Sequence, residues 1–345
     1  LPNNILFAAG DPGGANAIRP VALWAARRQL PVAILDNGSL PDGLGDGFRV
    51  VSGDAPFDVL CFGTSLNDRL PLSLARTAKQ RGKRVVAVLD NWVNYRSRLM
   101  IDGLPMFVPD VYAVMDDKAR AEAVADGVPE ACLTVTGHPN LAGLADAVIV
   151  ATPEWRSDFR EAMGLGLGGR GLVAFINEPV ANDQGTNADN PAWRGYTERD
   201  ALSALAQGLG DAAIDVAIVP HPRDDFDRVA ALWEAVKGRC RGRAIRNISG
   251  RDAMLAADRT AGMASIVLYE SWLAGRPTLS LQPGLVRDDL VSIASRPGIV
   301  SVRSSDRIND GVGQWLTQSG GPAREDLARH ADAAERIAKL LVAEN

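Results

Sequence analysis

Short β-branched and apolar runs alternate with helical runs along this chain, and the alternation is played through twice. In the first half "NILFAAG", "PVAILD", "FRVVS", "DVLCFGT", "RVVAVLD", "VYAVMD" and "LTVTG" read as strands. Between them "NAIRPVALWAARRQ" and "PLSLARTAKQRG" read as helices, the second closed by Arg81 in its last turn and Gly82 just beyond it. Such a pattern builds a parallel sheet covered by helices. It breaks at "TPEWRSDFREAMGLGLGGRG", a polar helix running into a glycine-rich hinge, and then restarts. "RGLVAFINEP" is the next strand, and "YTERDALSALAQGLG" a helix with a capping box at Thr197 and Asp200. "DVAIVPHP", a helix near 224–238, "AIRNIS" and "DAMLAAD" follow. "AGMASIVLYESWLAGRPTLSLQP" (261–283) then reads as a small-residue turn, a helix and a buried strand.

The expected organisation is an N-terminal Rossmann-like domain over 1–150, a linker helix and hinge over 151–170, and a second Rossmann-like domain over 171–322. A last helix over 323–345, "REDLARHADAAERIAKLLVAE", can pack on either. Two consecutive α/β domains predict a cleft facing the C-terminal ends of both sheets, where open α/β sheets bind ligands.

The 345 residues are 46% hydrophobic and 23% charged, with a formal charge of -5 and no basic run, which argues against nucleic acid as a partner. No apolar stretch is long enough to span a membrane, and "LPNNILFAAGDPGG" lacks the basic region of a signal peptide, so the expected setting is cytoplasmic. Cys61, Cys132 and Cys240, odd in number and far apart, read as reduced thiols. With His138, His221 and His330 as the imidazoles, the sequence supplies no metal site, and no cofactor is expected.

Six stretches carry residue types suited to chemistry. In "FAAGDPGGANAIRP" a strand ends at Gly10, and Asp11, Pro12, Gly13 and Gly14 turn into a helix whose free N–H groups favour negative charge. The turn is not a dinucleotide fingerprint; Asp11 suits a general base, and the plain alternative is a tight strand-to-helix turn. In "VVAVLDNWVNYRSRL" Asp90 and Asn91 emerge at a strand end, with Trp92, Tyr95 and Arg96 as stacking and anion-binding groups, or as pins of a loop. "VTGHPNL" places His138 after a strand, in a structural or a site role. "AFINEP" and "AIVPHPRDD" bring Glu178, His221 and Arg223 to strand ends, suited to phosphate or carboxylate, or to a capping loop. In 261–283, Gly262, Ala264 and Ser265 start a helix at 265–274 where N–H groups can hold a phosphate oxygen. Glu270 inside that helix can accept ribose hydroxyls, or lie on a solvated face.

Taken in order, the glycine-rich start, "TGHP", "HPR" and "GMASIVLYESWLAGRPTLSLQP" resemble the two-Rossmann-domain, GT-B-type nucleotide-sugar enzymes over nearly the whole chain. The resemblance implies parallel sheets facing across a cleft, with a donor diphosphate at Gly262 and Ser265 and ribose at Glu270. "HP" is similar to the motif of bacterial sialyltransferases whose His contacts the phosphate of a CMP-sugar, which falls on His221. The acidic-acidic-Gly motif of those enzymes is not recognisable here. UDP-N-acetylglucosamine 2-epimerases share the architecture, but Asp90-Asn91-Trp92 stands where they carry a strand-end Glu.

The implied activity is metal-independent, inverting transfer of a sugar from a UDP- or CMP-sugar to a glycan, lipid-linked or protein acceptor, with a peripheral membrane association as one partner reading. Asp11 would be the base, with Asp90 a further catalytic candidate, and His221 and Ser265 would stabilise the leaving phosphate. A 2-epimerase or hydrolase on the same fold, and a non-catalytic nucleotide-sugar-binding protein, are the alternatives.

Overall fold

The computed structural model describes residues 4–36, 43–52, 55–287 and 291–342. The chain forms two compact units, Leu1–Gly143 with Asp326–Asn345, and Leu144–Glu325.

Unit 1 runs β1 (Ile5–Ala8), α1 (Pro12–Arg27), β2 (Val32–Leu35), β3 (Arg49–Val51), β4 (Val59–Gly63), α2 (Leu70–Gln80), β5 (Arg84–Val88), β6 (Val111–Val114), α3 (Asp117–Ala125) and β7 (Leu133–Val135). All seven strands expected from the apolar runs are present. They pair in parallel in the order β3-β2-β1-β4-β5-β6-β7. The central strands β1 and β4 are buried along their whole length, the burial expected of strands covered on both faces. The order reverses between β1 and β4, which makes their C-terminal ends the switch point.

Unit 2 runs α4 (Leu144–Val150), α5 (Pro153–Met163), β8 (Gly171–Ile176), α6 (Val180–Gln184), α7 (Glu198–Leu209), β9 (Ile214–Val219), α8 (Phe226–Val236), β10 (Arg241–Ala244), α9 (Gly250–Ala256), β11 (Arg259–Gly262), α10 (Ile266–Leu273), β12 (Thr278–Leu281), β13 (Val300–Val302) and α11 (Ile308–Thr317). Its parallel sheet has the order β10-β9-β8-β11-β12-β13, with the switch point between β8 and β11. Successive residues of β8 serve opposite faces. Val173 and Phe175 join a core with Leu205, Ile218, Trp233 and Trp315, while Leu172, Ala174 and Ile176 join another with Ala217, Ile245 and Ala253.

Local chemistry sets the element ends. Thr197 and Asp200 close the capping box that starts α7, Thr152 caps α5, and Gly164 ends α5 in the left-handed conformation. The strand expected at "AIRNIS" lies earlier, over Arg241–Ala244. Its Gly242 sits so close to β9 that an added Cβ would lie 2.2 Å from the Val216 carbonyl oxygen, and its arginines hide the apolar period.

The chain returns to unit 1 through α12 (Ala328–Ala331) and α13 (Ala333–Val342), where one helix was expected; the end of that expected helix lies outside the described residues. Ile337 and Leu341 of α13 share a core with Ile18 and Val21 of α1, so the last helix packs on the first unit.

Candidate functional site

At the switch point of unit 1, Asp11 is the N-cap of α1, its Oδ1 accepting the Gly14 N–H at 2.8 Å. Oδ2 makes no hydrogen bond among the described residues, so one oxygen holds the helix and the other is uncommitted. The two glycines that follow have different duties. A Cβ on Gly13 would lie 2.8 Å from Asp90 Oδ2 and 3.4 Å from Asp11 Oδ1, which places this backbone between two carboxylates. Gly14 instead serves packing: a Cβ on the facing Gly63 would lie 2.2 Å from the Gly14 carbonyl oxygen, so α1 and the end of β4 touch backbone to backbone.

Asp90 follows β5 and is nearly buried. Its Oδ1 accepts the Thr64 hydroxyl at 2.7 Å and an Arg98 guanidinium N–H. Burial pushes the Asp90 carboxyl above its ordinary range, Arg98 and Thr64 oppose this, and the negative charge of Asp11 adds to it. The two carboxyl groups form an electrostatically linked pair.

Of the other residues expected here, His138, Trp92 and Tyr95 hold the unit together through their side chains. His138 is 2% exposed. Its Nδ1 accepts the Asn140 N–H at 3.2 Å, which puts the ring proton on Nε2, 3.2 Å from the Asp90 carbonyl oxygen. Its backbone N–H donates to His330 Nδ1 at 3.0 Å, and Trp92 stacks on its ring while donating from Nε1 to Asp116 at 2.9 Å. His138 is thus a latch between the β7 end, the Asp90 loop and the C-terminal helices. Asn91 accepts the neighbouring Trp92 N–H at 2.8 Å. Tyr95 donates to Glu122 of α3 at 2.5 Å, and the Arg96 N–H to Asp126 at 2.8 Å, so this aromatic loop is pinned to α3.

At the switch point of unit 2, Ser265 is the N-cap of α10, its hydroxyl accepting the Val267 N–H at 3.3 Å. Glu178, just past β8, reaches this helix start. Its Oε1 accepts the Ala264 N–H at 2.6 Å, with the Ser265 N–H as a second donor. Burial raises the Glu178 carboxyl above its usual range, with Arg194 and the two N–H groups acting against it. Gly262 is a packing glycine, since a Cβ there would lie 2.9 Å from the Ile176 carbonyl oxygen of β8.

Past β9, His221 Nδ1 accepts the Arg223 N–H at 3.1 Å, and the His221 N–H donates to Asp224 Oδ2 at 2.7 Å. Burial and the Arg223 charge lower its pKa, so the ring is neutral at pH 7, with Nε2–H as its donor. Arg223 forks onto Asp183 of α6 at 2.7 and 3.2 Å.

Glu270 is neither solvated nor open to a ligand on both oxygens. It is 2% exposed and held by Arg251 of α9, Nε to Oε2 at 2.8 Å and Nη2 to Oε1 at 2.7 Å.

Sequence reasoning passed over Thr64, Arg98, Asn177, Arg194 and Arg251, and read Asp224 as part of a capping loop. Thr64 and Asn177 carried a readable signal, each being the first polar side chain after a fully apolar strand. Asn177 Nδ2 donates to Asp224 Oδ2 at 2.9 Å, leaving Asn177 Oδ1 and Asp224 Oδ1 as buried acceptors without a partner among the described residues.

No protein-family model matches the chain, and no curated protein does. Solved structures do. The UDP-GlcNAc 2-epimerase of Methanocaldococcus jannaschii, in complex with UDP-GlcNAc and UDP, is similar at a TM-score of 0.67 and 11% identity, over 98% of this chain and 99% of that one. The Neisseria meningitidis UDP-GlcNAc 2-epimerase bound to UDP-GlcNAc has a TM-score of 0.63 at 11% identity, over 98% and 99%. Anabaena Alr3699/HepE in complex with UDP-glucose has a TM-score of 0.56 at 14% identity, over 98% and 95%. At such identities the likeness establishes architecture. The chain has the GT-B-type fold, two Rossmann-like α/β units, shared by these proteins.

Proposed function

We propose that this protein is a nucleotide-sugar enzyme whose donor phosphate is held at the start of α10 and whose reaction is metal-independent sugar transfer with inversion. The observation that carries the reading is the helix start itself. The Ala264 N–H donates to a Glu178 carboxylate oxygen and the Ser265 N–H acts on the same carboxylate, the type of acceptor that a phosphate also presents. Neutral His221, with Nε2–H as donor, suits a phosphate oxygen. The ligands named with the similar structures, UDP, UDP-GlcNAc and UDP-glucose, support a UDP-sugar.

Transfer with inversion asks one group to take a proton from the acceptor hydroxyl. Asp11 is suited to it, with one oxygen spent on the cap and the other uncommitted. Asp90 stands beside it, bound to Arg98 and Thr64. The acceptor is a glycan, a lipid-linked glycan or a protein.

A second reading, 2-epimerisation, is favoured by the epimerases among the similar structures and by the presence of two linked carboxyl groups in unit 1. Epimerisation needs one group to remove a proton and another to return it. One experiment separates the two: UDP-GlcNAc is incubated with the protein in deuterated water, with and without a glycan acceptor. Transfer predicts product only with acceptor and no deuterium in the sugar ring. Epimerisation predicts deuterium at the inverted carbon without acceptor, and binding alone predicts neither.

A further inference from the structure

In unit 2 the place where a donor phosphate is expected already holds an anion. Glu178 Oε1 lies 2.6 Å from the Ala264 nitrogen, and the Ser265 N–H turns to the same carboxylate. These groups open α10 (Ile266–Leu273), which follows β11 at the switch point between β8 and β11. A helix start attracts negative charge through its free N–H groups and its dipole. Here the attraction is answered by a residue of the chain itself, 86 positions away in sequence.

We infer that Glu178 is an internal counter-anion that a donor phosphate must displace, so that occupation of the α10 start is gated by this one carboxylate. The inference rests on the reading of that helix start as the phosphate seat. Two anions cannot share the same two N–H donors, and a carboxylate left ionised beside a phosphate repels it. Phosphate binding therefore goes with protonation of Glu178.

The groups that act on Glu178 are few. Arg194 attracts it, Asp183 repels it, and Tyr196 lies close enough to feel its charge. On the neighbouring strand end stand His221, Arg223 and Asp224, with Arg223 already forked onto Asp183. A carboxyl whose ionisation is disfavoured by burial is suited to take up the proton that displacement requires.

The test is calorimetric titration of the whole protein with UDP, and with uridine as the phosphate-free probe, from pH 5.5 to 8.5. It compares wild type with Glu178→Gln, which keeps size and removes charge. Titration of UDP itself and of His221 is common to both proteins and drops out of the comparison. Wild-type affinity for UDP should fall faster with rising pH than that of the variant, by up to tenfold per pH unit. At pH 8 the variant should bind UDP at least tenfold more tightly, while uridine binds both equally. A variant that fails to fold leaves a measurement on wild type alone: titrations in two buffers of different ionisation enthalpy should show net proton uptake with UDP and none with uridine. Equal slopes and affinities, weaker binding by Glu178→Gln, or no proton uptake with UDP overturn the gate while the seat stands. If UDP binds neither protein at any pH, the seat itself fails and the gate with it.

Discussion

Arg251 and Glu270 form a two-point ion pair inside unit 2, joining α9 to α10 with both carboxylate oxygens engaged, at 2.8 and 2.7 Å. The Glu270 side chain is 3% exposed and that of Arg251 26%, so the carboxylate depends on its partner for charge compensation. Burial of an ionised group without such compensation is costly. Arg251→Met should destabilise the protein by about 3 kcal/mol, the usual cost of breaking a buried pair from one side. Arg251→Met combined with Glu270→Leu should recover most of that loss. Urea unfolding of the three proteins checks this, and equal midpoints for both variants would count against it.

Asp11 has two duties that substitution can separate. Asn caps a helix as well as Asp does, so Asp11→Asn should change stability by less than about 0.5 kcal/mol. Asp11→Ala should cost about 1 kcal/mol through the lost Gly14 contact. Both should lose about 10²- to 10⁴-fold in sugar transfer, the typical contribution of a general base. Full activity in Asp11→Asn would assign the residue to capping alone.

His330 is fully buried, accepts the His138 N–H on Nδ1, and has its pKa pushed down to about 3 by burial and by the neighbouring His138. In the unfolded chain an imidazole titrates near 6.5. Below that pH the unfolded state binds a proton that the folded state refuses. The stability is therefore complete above pH 6.5 and lost as pH falls from there toward 3, by about 2 kcal/mol at pH 5. His330→Asn offers an amide oxygen to the same N–H without titrating. Its unfolding midpoint should fall less steeply than that of wild type between pH 7 and 5, and parallel curves would contradict the assignment.

Gly63 and Gly14 bring the end of β4 and the first turn of α1 into backbone contact, with no room for a methyl group between them. Gly63→Ala should cost about 3 kcal/mol or more, at the upper end of overpacking penalties, because backbone rather than a side chain must yield. Gly313, which has nothing within 4 Å of an added Cβ, is the control, and Gly313→Ala should be neutral or stabilising. Comparable thermal midpoints for the two would refute the packing argument.

The sheets were legible because β1, β4, β5, β8 and β9 are near-continuous apolar runs, as strands covered on both faces must be. β10 was misplaced because its "RGRA" has neither apolar period nor length. The Thr197 box was readable because a cap acts within three residues of itself, whereas Asp11, read as a base or a tight turn, stands as the cap of α1. The partners that decide what the remaining side chains do come from far along the chain. Glu178 meets Ala264 across 86 positions, and His138 meets His330 across 192. No local pattern announces either pairing. His138 therefore read as a site candidate in sequence and stands in the structure as a latch.

Amide NMR of the whole protein during a UDP titration tests most directly whether the α10 start is the seat of a nucleotide phosphate. The Ala264 and Ser265 amide resonances should move saturably with UDP, and not with uridine at the same concentrations. Saturable binding of UDP with those two amides unmoved, or no binding at millimolar UDP, would contradict it.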